Sequence, residues 1–71
     1  MESIPKFFNM IQIRIRNASN TRTVNFLVKR ARMFKDEYNS NLEISRGVKA
    51  LVNTRYKQTV RIAKIQKRTF K

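Results

Sequence analysis

The chain has no cysteine and no histidine in its 71 residues. That excludes disulfide staples and an ordinary zinc site, and it removes the commonest nucleophile and the commonest general base. Acids are scarce: Glu2, Asp36, Glu37 and Glu43 make up the whole set. Asp36 and Glu37 are sequence neighbours, which do not face each other on a helix or a strand, so no paired-carboxylate site is indicated. The single glycine, Gly47, cannot make a glycine-rich phosphate loop. These absences speak against an enzyme, a metal site or a cofactor. No apolar run approaches the ~18 residues of a membrane span, so membrane insertion is not expected. Met1 to Met10 also lacks the basic flank and long apolar stretch of a secretory signal.

Positive charge is what the chain has in excess. Lys and Arg number 17 against 4 Asp and Glu, for a net charge of +13. Such a charge repels itself in a compact chain and is relieved by a bound polyanion. Nucleic acid is the first candidate and an anionic membrane surface the second. With 41% apolar residues and one proline, the composition is not that of a disordered segment. The length lies near the lower limit for a chain that folds unaided. Apolar burial worth about 100 kcal/mol roughly balances the conformational entropy of ordering it. A partner is therefore expected to contribute to order.

Short alternating runs suggest strands. In Ile11-Gln12-Ile13-Arg14-Ile15-Arg16 the three isoleucines share one face of a strand, and polar Asn17-Ala18-Ser19-Asn20 suits a turn. A second alternation over 22–28 places Val24, Phe26 and Val28 together, completing a hairpin. Leu42-Glu43-Ile44 is a further short strand candidate, and Gln58 to Ile62 reads as the last. Val48, Leu51 and Val52 suit one helical turn under the sheet. Between them a helix competes with a basic loop, because Leu27, Ala31, Phe34 and Tyr38 fall on one stripe at helical spacing. The expected fold is mainly β: a small antiparallel sheet of three to four strands, with a basic loop and tail and room for one short helix near 29–38. The alternative is α+β. Residues 1–10 read as an N-terminal extension and 11–71 as one small basic domain, its end from Ala63 onward a basic tail.

The candidate RNA-binding residues are Arg14, Arg16, Lys29, Arg30, Arg32, Lys35, Arg46, Arg55, Lys57, Arg61, Lys64, Lys67 and Arg68. Arg holds a phosphate through two hydrogen bonds at once, whereas Lys acts as a point charge. The cluster Lys29-Arg30-Ala31-Arg32 is the expected anchor. Among the aromatics, Phe26 reads as core between Val24 and Val28, and Tyr56, between Arg55 and Lys57, is open to stacking on a base or to packing.

The order of these pieces resembles the large-subunit ribosomal protein L thirty-three family. The pieces are Ile11-Gln12-Ile13-Arg14-Ile15, Ala18-Ser19-Asn20-Thr21, Lys29-Arg30-Ala31-Arg32, Leu42-Glu43-Ile44 and Lys57-Gln58-Thr59-Val60. The family's Asp-Pro pair is absent, with Asn53-Thr54 in about its place, and the zinc-binding cysteine pairs of some members are missing. The resemblance implies a divergent mitochondrial form. Such a protein would be a small β structural component of the large subunit, bound to large-subunit rRNA and neighbouring ribosomal proteins close to the exit-site tRNA. A mitochondrial ribosome is the implied location, with a cytoplasmic or plastid ribosome as alternatives. Two other readings compete: a basic ribbon-type DNA-binding dimer burying Ile11, Ile13 and Ile15 between its copies, and a membrane-surface peptide using the Leu27 to Tyr38 stripe.

Overall fold

A computed structural model describes residues 3–70, and over them the chain is helical. Helix α1 spans Ile4–Arg16, α2 spans Thr21–Ser40 and α3 spans Arg46–Lys67. Each helix starts on a side chain suited to the task. The Ser3 hydroxyl accepts from the Lys6 N–H at 3.3 Å, with Pro5 in the first turn where a missing N–H costs nothing. Asn20 Oδ1 accepts from the Thr23 N–H at 2.8 Å, and the Ser45 hydroxyl from the Val48 N–H at 3.3 Å. Basic side chains close α1 (Arg14, Arg16) and α3 (Lys64, Lys67), where they meet the negative ends of the helix dipoles.

The short connections 17–20 and 41–45 make an up-down-up bundle measuring 43 × 17 × 15 Å. Cross-helix contacts set the register. Gln12 meets Thr59 and Ala18 meets Gln66, so α1 and α3 run parallel. Phe34 of α2 stacks on Phe7 of α1 with centroids 3.9 Å apart, and Phe8 meets both rings edge-on. Asn39 pairs with Asn53 across α2 and α3. The largest fully buried side chains, Phe8, Ile11, Ile15, Val24, Val52 and Thr59, come from all three helices.

The expected β sheet is therefore overturned: the described residues contain no strand. The α+β alternative falls with it, as does the β fold implied by the ribosomal-family resemblance. The physical reason lies in the period. Ile11 and Ile15, four apart, point into the core, whereas Ile13 lies about 200° round the helix from either and is 55% exposed. Over a longer window, Phe7, Phe8, Ile11, Gln12 and Ile15 are the buried set, which is helical spacing. In the 22–28 run, Val24 and Leu27 are buried and Phe26, expected in the core, is 62% exposed. In 58–62 the buried residue is Thr59, followed four later by Ala63. Leu42-Glu43-Ile44 belongs to the α2–α3 turn, where Asn41 Oδ1 accepts from the Glu43 N–H at 2.9 Å and Leu42 is 94% exposed.

The stripe from Leu27 to Tyr38 is the inward face of α2, so it does not offer itself to a membrane surface. Residues 4–10, read as an extension, form the first half of α1, and the start of the basic tail is the last turn of α3. A ribbon-type dimer has no paired strands here to use, and Ile11 and Ile15 are already buried within one chain.

Candidate nucleic-acid interface

Helix α3 carries Arg46, Lys49, Arg55, Lys57, Arg61, Lys64 and Lys67 without one acid, and Arg68 caps it. Thr59 and Ala63 turn one side of α3 to the core. Lys57, Arg61, Lys64 and Arg68, at successive steps of four, three and four, fall on the opposite side and are exposed. They form a ridge about 16 Å long at 1.5 Å per residue.

The seam with α2 widens this ridge into a face. Asn39 Nδ2 donates to Asn53 Oδ1 and to the Lys35 carbonyl, both at 2.9 Å. Lys49 and Lys57, four residues either side of Asn53, therefore border the seam from α3. Lys35, and Arg32 three residues earlier, border it from α2. Lys29 is a further turn along α2 and is exposed.

The topology also sorts charge along the bundle. The up-down-up order brings the end of α1, the start of α2 and the end of α3 to one pole, gathering Arg14, Arg16, Arg22, Lys64, Lys67 and Arg68. The acids among the described residues, Asp36, Glu37 and Glu43, lie at the other pole. The single ion pair among the described residues is there too, Lys35 Nζ to Asp36 Oδ1 at 3.4 Å. At the same pole a cleft of about 660 Å³ opens between Ile4, Phe34, Tyr38, Ile44 and Val48, with Glu37 on its wall.

The thirteen sequence-expected residues thus divide. Arg32, Lys57, Arg61, Lys64 and Arg68 come together on the α2–α3 side with Lys29, while Arg46 starts α3 at the pole that also holds the acids. Lys67 is half-buried beside the ridge. Lys35 is engaged internally, its ammonium 4.7 Å over the Tyr56 ring as well as beside Asp36. Tyr56 is thereby covered on one face and half-buried. Arg55 is carried toward α1, because Thr59, four residues later, faces Gln12. A strand would put Arg14 and Arg16 on one outward face, but a helix splays them about 200° apart. Arg30 lies one turn before Phe34, on the α1 side of α2. Of the basic residues left out of that set, the fold brings Lys49 to the α2–α3 seam and Arg22 to the basic pole. Only helical spacing reveals them, Lys49 four before Asn53 and Arg22 four before Phe26. Comparison with protein-family models, with curated proteins and with solved structures finds no match to this chain.

Proposed function

We propose that the chain is a non-catalytic protein that binds the phosphate backbone of structured RNA through its α2–α3 face. It would serve as a structural component of a ribonucleoprotein particle, with large-subunit ribosomal RNA the partner to test first. The observation that carries this reading is the exposed ridge Lys57, Arg61, Lys64 and Arg68 on a helix with no acid. A solvated surface helix ordinarily intersperses both signs, whereas a one-sign ridge fits a polyanion and gains from counterion release. Structured RNA is favoured over an anionic membrane because the exposed apolar side chains of α3, Leu51 and Ile65, stand singly fourteen residues apart, and lipid-surface helices need a continuous apolar face beside the charge.

The test compares two variants of equal net charge in binding to an rRNA fragment. Lys57→Gln, Arg61→Gln and Lys64→Gln together remove three of the four charges of the ridge. Lys6→Gln, Arg14→Gln and Arg16→Gln remove the same charge from α1. The ridge variant should bind at least tenfold more weakly and be excluded from assembled particles, while the α1 variant keeps most of its affinity. Equal loss in both would reduce the face to general electrostatic attraction and defeat the reading.

A further inference from the structure

Phe26 is the phenylalanine that the fold leaves outside. It is 62% exposed, whereas Phe7, Phe8 and Phe34 pack against one another. On α2, Arg22 precedes it by four residues and Arg30 follows by four, and both are exposed. Residues four apart share a helix face at about 5–6 Å between Cβ atoms, so the ring stands between two guanidinium groups on one strip. No acid occurs in α2 before Asp36. The cation lying over an aromatic ring among the described residues is Lys35 on Tyr56, so neither arginine covers Phe26.

We propose that Phe26 is a stacking platform for an unpaired nucleobase, with Arg22 and Arg30 holding the phosphates on either side of it. The inference rests on the RNA-binding reading above and specifies a second kind of contact. An aromatic face takes any base, and flanking arginines grip phosphate through paired hydrogen bonds. A continuous duplex offers no unstacked base, so the occupant is a single-stranded or bulged segment. Arg30 and Arg32 lie about 200° apart around α2. One helix thus presents a backbone-binding side toward α3 and a base-binding side toward α1. A lipid surface fits this strip poorly, because Arg30 interrupts the apolar pair Phe26 and Met33.

The chain has no tryptophan, so Phe26→Trp installs a unique fluorescent reporter at an exposed position. It is titrated with oligouridine, a blunt RNA duplex, heparin and anionic vesicles. Oligouridine should quench the indole by about half or more, while duplex and heparin, which offer charge without an unstacked base, leave it little changed. Phe26→Ala should weaken oligouridine binding about tenfold at fixed salt and spare duplex binding, with Phe26→Tyr restoring it. Helical circular dichroism unchanged in each variant shows the fold intact. Duplex binding with no quenching by oligouridine overturns the platform and leaves the backbone reading standing. Failure to bind either RNA overturns both. A blue-shifted, brighter indole on vesicles without quenching on RNA overturns the platform in favour of a lipid surface.

Discussion

Gln12 Nε2 donates to Thr59 Oγ1 at 3.1 Å inside the bundle, joining α1 to α3. The Thr59 hydroxyl in turn donates to the Arg55 carbonyl one turn back, at 2.9 Å. These two are the buried polar side chains of the core, and each satisfies the other. Replacing one strands its partner, whereas replacing both by apolar groups strands neither. Thr59→Val alone should cost about 1–3 kcal/mol, and the pair Gln12→Leu with Thr59→Val less than the sum of the single changes. A double-mutant cycle by denaturant unfolding checks this. Strict additivity would show that the bond contributes nothing to holding α1 on α3.

Neighbouring isoleucines should respond oppositely to the same change. Ile11→Asp puts a carboxylate into a fully buried site and should unfold the domain, since an unpaired buried polar group costs several kcal/mol. Ile13→Asp falls on the solvent side of α1 and should shift stability by within about 0.5 kcal/mol. Thermal unfolding followed by circular dichroism distinguishes them. Similar losses at both positions would contradict the helical register of α1.

Salt should act in opposite directions on folding and on binding. Screening relieves the repulsion of a +13 chain, so the Tm of free protein should rise between about 0.02 and about 0.5 M salt. RNA affinity should fall over the same range. With ~6 phosphate contacts, log K against log salt should slope at about −4 to −5, and the triple ridge variant should flatten it by about 2. A Tm indifferent to salt, or a slope unchanged in the variant, would count against the charge assignment.

The helix starts should differ in value. Asn20 holds the Thr23 N–H at 2.8 Å between two packed helices, and Asn20→Ala should cost about 1 kcal/mol. Ser3 holds its partner at 3.3 Å, a longer and weaker bond, so Ser3→Ala should cost less. Equal effects in unfolding midpoint would show that the first turn of α1 is as firmly docked as that of α2.

Composition alone determined the excess of positive charge and the small number of groups able to do chemistry, since charge counts do not depend on conformation. The stripe Leu27, Ala31, Phe34 and Tyr38 was legible in part, as a helix competing with a basic loop, because its twelve residues span about three helical turns and a strand cannot match that spacing. The runs at 11–16, 22–28 and 58–62 were misleading. Five to seven residues fit both periods, and β-branched Ile, Val and Thr favour the strand on propensity. The signal against it sat just outside the first run, in Ser3 and Pro5 as a helix start and in Phe7 and Phe8 as its first inward turn.

Tertiary structure decided which side of each helix faces water, and with it the site. Packing Ile11 and Ile15 inward leaves Ile13 outside, and packing Val24 and Leu27 inward turns Phe26 out between Arg22 and Arg30. The up-down-up path then sets chain segments far apart in sequence side by side, separating a pole of one sign from one where acids and bases mix. Sequence supplied the charges, but a helix distributes them about its axis by 100° per residue, so only the packed register assigns each to a face.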